Sequence, residues 1–217
     1  MSEEQTHDYP GKEITVTWDG RLCIHIGECG YSEGDLFVGG RDPWCKPDES
    51  TVDYTIEVVK RCPSGALSYR CADGSVEDAP AAENSVQLVY NGPLFLEGDL
   101  DIAAAGDDMP STKFRAALCR CGASKNKPFC DNSHVDAGFQ DMGACGKKGS
   151  ELESTGGKLS VTTLKDGPLM IKGYFRIVAS SGRIAWSGEQ AALCRCGASK
   201  NKPFCDGSHN GIGFTAD

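Results

Sequence analysis

"CRCGASKNKPFCDNSH" spans Cys119–His134 and "CRCGASKNKPFCDGSH" spans Cys194–His209, and the two strings differ only at Asn132 against Gly207. They lie 75 positions apart, and the same shift sets Gly92 on Gly167, Gly98 on Gly173 and Phe139 on Phe214, without a gap from Val86/Val161 to Met142/Asp217. Two units of this length indicate a duplicated small domain, since a solenoid needs at least three. Each string reads Cys-x-Cys, eight residues, Cys, three residues, His. Two cysteines one residue apart in an extended loop can pinch one metal atom from one side. A Cys and a His four apart fall on one face of a starting helical turn. Pro128 and Pro203 stiffen the approach. Asp131 and Ser133, or Asp206 and Ser208, suit the start of a short helix.

The flanks of the strings read as strand. Val86, Leu88 and Tyr90 alternate with polar residues, Asn91-Gly92-Pro93 makes a turn, and Leu94-Phe95-Leu96 continues. In the second unit "GYFRIVASSGRIAWSG" reads as a hairpin turning at Ser180-Ser181-Gly182. Residues 1–80 do not match the repeat. There "KEITVTWD" alternates as a strand, and "DESTVDYTIEVVKRC" places Val52, Ile56 and Val59 at helical spacing and ends near Cys62-Pro63. "GALSYR" reads as a return strand. "CADGSVEDAPAAENS" serves as a linker, and "GACGKKGSELESTGGK" separates the repeats. The division is therefore 1–80, 85–142 and 159–217.

The chain has 217 residues, a net charge of −9 and twelve cysteines. An acidic chain is not attracted to nucleic acid or to an anionic membrane surface. The start "MSEEQTHDYPGKE" lacks a basic and then apolar leader, and no apolar run approaches the roughly 20 residues of a membrane helix. A cytoplasmic protein without nucleic-acid or membrane partners is expected. In a reducing compartment clustered Cys with nearby His reads as metal ligation, and a disulfide between cysteines one residue apart closes an awkwardly tight ring. No Ser–His–Asp set, phosphate loop or paired-carboxylate pocket stands out. No catalytic residue is assigned, and an electron-transfer protein is expected rather than a catalyst of its own.

Three cysteines and one histidine suit structural zinc. The string also closely resembles the CDGSH iron–sulfur family, in which it holds a [2Fe–2S] cluster. "CDGSH" at Cys205–His209 matches that signature residue for residue; the first copy departs at Asn132, the substitute that a positive φ tolerates best. The resemblance implies that Cys119 and Cys121 hold one iron and Cys130 and His134 the other. In the second repeat Cys194 and Cys196 hold one, and Cys205 and His209 its neighbour. Two ferric ions, two sulfides and three thiolates sum to −1 against −2 for four thiolates. The potential should therefore lie above the plant-type ferredoxins at about −400 mV. Acid should compete with iron for the lone imidazole, so clusters are expected to be lost below neutrality. Arg120, Lys125 and Lys127, with Arg195, Lys200 and Lys202, read as solvated charges that offset the cluster, or else as a docking patch for an acidic redox partner.

"LCIHIGEC" and "RCPSGALSY" are similar to the bacterial ferredoxin run, with Cys23 and Cys29 at the first and third positions, Ile26 in the middle and Cys62 before Pro63 as the distant member. With "RDPWCKPDE", this layout resembles the divergent mono-cluster ferredoxin domain often fused to CDGSH repeats. Three thiolates suit [3Fe–4S]; [4Fe–4S] needs a further ligand from His25, Cys45 or solvent. Cys71 and Cys145 read as bystanders, and His7 earns no role.

The expected architecture is α+β. A small ferredoxin-like domain precedes two β-rich CDGSH repeats packed as an intramolecular pseudo-dimer, giving a monomer with internal pseudo-two-fold symmetry. The expected function is one-electron transfer through two [2Fe–2S] clusters and a third amino-terminal one, exchanging with a redox partner protein. Donation to an apo iron–sulfur acceptor, redox or pH sensing, and a zinc-built interaction module are the alternatives.

Overall fold

The computed structural model describes residues 6–75, 78–146 and 148–216. It is mostly β with one α-helix, an α+β architecture. The amino-terminal part is a three-stranded antiparallel sheet in the order β1 (Thr6–Pro10), β2 (Ile14–Asp19), β3 (Leu67–Cys71), with α1 (Val52–Lys60) between β2 and β3 in the chain. Ile14 and Val16 of β2 turn inward, as the alternation in "KEITVTWD" predicts. The Thr51 side chain accepts the Tyr54 amide at 3.3 Å and caps α1, whose Ile56, Val58 and Val59 are buried. β1 was not expected from the polar start. It is an exposed edge strand, and His7 stacks on Trp18 there with ring centroids 5.7 Å apart.

The second sheet has seven strands: β4 (Ser85–Leu88), β5 (Leu94–Glu97), β6 (Asp99–Ile102), β7 (Arg115–Leu118), β8 (Lys158–Thr163), β9 (Leu169–Val178) and β10 (Ile184–Leu193). The chain turns between β9 and β10 over residues 179–183, where the Gly182 amide meets the Ala179 carbonyl at 2.8 Å. Within each repeat the pairing is antiparallel: Val86 opposes Leu96, and its copy Val161 opposes Ile171. Between repeats the pairing is parallel and reciprocal: Val86 opposes Ile177, while Val161 opposes Ile102. Each of these pairs maps onto its counterpart by the 75-residue shift.

Glycine makes the exchange of partner feasible. Gly98 (φ 141°) separates β5 from β6, and Gly173 (φ 126°) sits at the matching point of β9. Before each glycine the strand pairs with the first strand of its own repeat, and beyond it with the first strand of the opposite repeat, while β9 keeps β10 along its other edge. A Cβ on Gly98 would lie 2.0 Å from the Asn84 side-chain oxygen, and one on Gly173 would lie 2.4 Å from the Lys158 carbonyl, so only glycine fits both the turn and the close approach. Leucines such as Leu88, Leu94, Leu118, Leu159, Leu169 and Leu193 fill one core shared by both repeats. Burying each contributes roughly 1.5–3 kcal/mol, before the entropy of ordering is subtracted.

The linker is more tightly held than its acidic, small-residue composition suggests. Asn84 is buried, donates to the Gly157 and Tyr174 carbonyls at 2.8 and 2.9 Å, and accepts from the Asp99 amide. Asp78 forms a buried ion pair with Arg115 at 3.0 Å. No helix among the described residues is long and apolar enough to cross a membrane.

Candidate metal centres

Each Cys-rich loop hangs from the end of a core strand. The Cys119 amide donates to the Pro128 carbonyl at 2.8 Å, and the Cys130 amide to the Ala117 carbonyl at 2.9 Å. In the second repeat Cys194 and Pro203, and Cys205 and Ala192, repeat both bonds at 2.8 Å. Asp131 accepts the Lys125 amide at 2.8 Å and the Ser133 amide at 3.0 Å, closing the loop and capping the turn that bears the histidine. Asp206 does the same for Lys200 and Ser208. These donated hydrogen bonds hold the Asp206 carboxyl, led by Ser208, well below the usual carboxylate range. The turn becomes a short 3-10 helix at Ser208–Gly211, whereas the first copy remains a run of turns. Asn132 has φ 71° and Gly207 φ 84°, so the one difference between the strings falls at a left-handed position that Asn tolerates.

The candidate ligand atoms come in pairs. Cys119 Sγ and Cys121 Sγ are 3.7 Å apart, and Cys194 Sγ and Cys196 Sγ 3.8 Å. Cys130 Sγ lies 3.6 Å from His134 Nδ1, and Cys205 Sγ 3.4 Å from His209 Nδ1. A tetrahedral ion with metal–sulfur bonds of about 2.3 Å and metal–nitrogen bonds of about 2.1 Å sets two sulfurs about 3.8 Å apart, and sulfur and nitrogen about 3.6 Å apart. Each pair is spaced for one ion and is far too wide for a disulfide, whose S–S bond is about 2.05 Å. Among the described residues no three His, Cys, Asp or Glu side chains converge on a single point. Each loop offers two pairs of candidate ligand atoms.

The surroundings suit a cation. Burial pushes the Cys130 thiol up to about 11 and also raises Cys194, so their thiolates lack a positive partner. The Cys121 S–H donates to Cys119 and lowers its thiol, and is itself pushed up by the same contact. Burial, with Arg120 nearby, depresses His134 and keeps the imidazole in its neutral, metal-binding form. The backbone amides of Ala123, Asn132 and Gly207 point at Cys121, Cys130 and Cys205 Sγ, each at 3.4 Å, and would stabilise charge on sulfur.

Arg120 and Arg195 are not solvated. They are buried at 2% and 1% exposure, and each clamps the turn that precedes its loop. Arg120 donates to the Gly92 and Val89 carbonyls, pairs with Asp141 and lies over the Phe139 ring. Arg195 donates to the Gly167 and Leu164 carbonyls and lies over Phe214. The guanidinium fork can hold several carbonyls at once, so these side chains brace the loop from beneath and do not form a docking patch. Lys125 and Lys200 remain exposed.

The amino-terminal cysteines gather around a separate cavity of about 370 Å³. Cys23, Cys29 and Cys62 line it with His25, Trp18 and Phe37. Burial raises the Cys29 thiol, with Cys62 and Cys23 adding to the rise, so the three sulfurs feel one another. His25 has φ 52°, and its Nδ1 sits 3.8 Å from Cys23 Sγ, near the pair spacing seen in the repeats. Ile26, at the middle ferredoxin position, is 47% exposed at the cavity wall. Cys45 is not among the residues lining this cavity. It is buried in the sheet core with Leu36 and Phe37, and burial pushes its thiol up to about 12. Cys71 lies in the same core, and Cys145 in the core of the repeats. The cysteines of all three sites are free thiols.

Comparison with known proteins agrees with this geometry. The family described as "Divergent 4Fe-4S mono-cluster" matches residues 9–72, and the family described as "Iron-binding zinc finger CDGSH type" matches residues 91–135 and 166–210. The fold and sites define an iron–sulfur-binding protein. The chain belongs to the CDGSH-type iron-binding proteins, with a divergent 4Fe-4S mono-cluster domain ahead of its two CDGSH repeats. The uncharacterized protein YjdI of Escherichia coli K12 is 44% identical over 62 residues, which cover 29% of this chain and 82% of that protein; YjdI of E. coli O157:H7 matches equally. No solved structure matches the chain significantly.

Proposed function

We propose that each CDGSH repeat holds one [2Fe–2S] cluster through three thiolates and one imidazole, and that a third cluster occupies the amino-terminal cavity, the whole serving one-electron transfer. The carrying observation is the pairing of ligands: Cys119 with Cys121 and Cys130 with His134, repeated by Cys194 with Cys196 and Cys205 with His209. A binuclear cluster with bridging sulfides needs two protein ligands per metal, whereas one structural zinc needs four around a point. Such a cluster supplies a metal pair that accepts and returns a single electron. Around it, Arg120 and Arg195 fix the loops, and the amides aimed at Cys121, Cys130 and Cys205 stabilise thiolate charge.

Cys23, Cys29 and Cys62 would hold the amino-terminal cluster, with [3Fe–4S] matching three thiolates and His25 within reach as a fourth ligand for [4Fe–4S]. The reciprocal strand pairing supports reading the two repeats as an intramolecular pseudo-dimer, with the chain itself a monomer. A redox carrier protein is the partner this function requires.

Cluster donation is the second reading, favoured by the half-buried His134 and His209, each the single nitrogen ligand of its loop. Repeated anaerobic reduction and air-free reoxidation separates the two. A carrier keeps its visible spectrum through the cycles and leaves an added apo-ferredoxin colourless. A donor bleaches while the apo-ferredoxin gains its cluster.

A further inference from the structure

The two ligand loops are nearly identical in sequence and internal geometry, yet they differ in exposure. Phe129 and Cys130 of the first loop and Ala117 of the strand before it are buried, while their copies Phe204, Cys205 and Ala192 are half-buried. Asn126 and Asp131 are half-buried, and their copies Asn201 and Asp206 are exposed. The residues that cover the first loop come from the amino-terminal domain. Ile24 forms a small buried cluster with Ala117 and Cys130, against which Phe95 packs. Asn126 donates to the Arg21 carbonyl at 2.7 Å, and the Arg21 guanidinium reaches Asp108 of the first repeat at 2.6 Å. Ser111 Oγ donates to the Leu67 carbonyl at 3.1 Å, and Gly65 lies so close that a Cβ there would be 2.5 Å from the Arg115 carbonyl.

This contact joins two sites. Ile24 follows Cys23 in the chain and is buried in one cluster with Ala117 and Cys130, so a shared apolar contact connects the amino-terminal cavity to the first CDGSH loop. The first loop in turn meets the second, because Cys121 and Cys196 face each other as an antiparallel bridge. Directly opposed residues in such a bridge have Cα atoms about 4.5–5.5 Å apart. The sites therefore follow in the order amino-terminal cavity, first loop and second loop, joined by the Ile24 cluster and then by the Cys121–Cys196 bridge.

We propose, on the cluster-binding reading above, that the three sites form a linear relay: the first CDGSH site is an internal link to the amino-terminal site across Ile24, and the second exchanges electrons with a one-electron carrier protein. Each transfer moves one electron, oxidising the site it leaves and reducing the next, and makes or breaks no bond. The carrier is the final acceptor or donor. The bare edge around Cys205 is where that carrier approaches, because the matching edge around Cys130 is already occupied.

The test uses the full, cluster-loaded chain. Relaxation of the reduced [2Fe–2S] EPR signal by an aqueous gadolinium complex, recorded where only [2Fe–2S] signals persist, reports how close solvent comes to each site. The relay predicts two components in the wild type, one enhanced several-fold more than the other, and predicts that Ile24→Ala moves the protected component toward the exposed one. A single component in the wild type overturns the proposal. Cys130→Ser and Cys205→Ser each remove one CDGSH site. With oxidised cytochrome c as acceptor, the second site in the Cys130→Ser protein should be oxidised at least tenfold faster than the first site in the Cys205→Ser protein. The amino-terminal site of Cys130→Ser should be stranded, at least tenfold slower than in the wild type. Equal rates, or an unstranded amino-terminal site, overturn the relay while leaving cluster binding intact. Absence of any [2Fe–2S] signal in the wild type refutes the cluster reading itself, and the relay with it.

Discussion

Cys121 and Cys196 oppose each other across the junction of the two repeats, so one cysteine of each Cys-rich loop lies at the point where the halves of the sheet meet. The glycines that follow them make the approach possible. A Cβ on Gly122 (φ 85°) would fall 2.6 Å from the Cys196 carbonyl, and one on Gly197 (φ 81°) 2.4 Å from the Cys121 carbonyl.

Gly122→Ala or Gly197→Ala should therefore strain the backbone and push the loops apart. The expected cost is about 1–3 kcal/mol, a fall in thermal midpoint of roughly 2–10 °C in a chain of this size. Differential scanning calorimetry measures it. Because the contact is reciprocal, either alanine should lower the iron content of both repeats and not of its own alone.

Arg120→Ala should be the most destabilising of the changes considered. It removes the guanidinium from the Val89 and Gly92 carbonyls and from the Asp141 carboxylate in a buried setting, leaving Val89 and Asp141 with the Gly92 and Gly143 amides. Losing one partner of a buried ion pair costs about 3–5 kcal/mol. Arg120→Lys keeps the charge but not the fork and should recover only part of that loss. Chemical denaturation of the three proteins gives the order wild type, lysine, alanine.

Acid should loosen the seam between the amino-terminal domain and the first repeat. The Arg21 hydrogen bond holds the Asp108 carboxyl below its usual range. A depressed carboxyl stabilises the folded state above its unfolded value, about 3.9, and that contribution is lost as the pH falls through the folded value. The denaturation midpoints of wild type and Asp108→Asn should thus differ at neutral pH and converge below about pH 4. A difference that persists at low pH would show that the seam does not depend on this carboxylate.

On the proposed cluster binding, His209→Cys would exchange a neutral ligand for a thiolate and take an oxidised [2Fe–2S] cluster from −1 to −2. The reduction potential of the second site should fall, by on the order of 100 mV toward the plant-type ferredoxins. Redox titration followed by EPR reads the shift; an unchanged potential would mean that His209 is not a ligand.

Much of the chain is legible because local chemistry dominates it. The alternation in β2, the helical spacing of Ile56 and Val59, and the turn glycines each report short-range geometry that tertiary contacts did not override. Asn132 was readable for the same reason, since a left-handed position restricts the residue type wherever it falls. The exchange of strand pairing at Gly98 and Gly173 was hidden. Both glycines stand out in the sequence, but which strand lies opposite depends on a partner 59 residues away for Asp99 and Lys158 and 91 for Val86 and Ile177. Arg120 and Arg195 misled because a basic residue in a Lys- and Asn-rich loop reads as solvated. Their burial follows from turn carbonyls that only the folded chain brings beneath them. β1 carries no apolar alternation, and edge pairing with β2 makes it a strand. The burial of Ile24 with Ala117 and Cys130 belongs to the same class, a contact between domains with no local signal.

Quantifying iron and acid-labile sulfide per chain in anaerobically purified protein, alongside zinc and the visible spectrum, addresses the central claim most directly. The paired ligands predict two irons and two sulfides for each repeat, further iron and sulfide from the amino-terminal cavity, and a coloured protein that bleaches on reduction. A colourless protein holding stoichiometric zinc and no sulfide after anaerobic reconstitution would contradict the account.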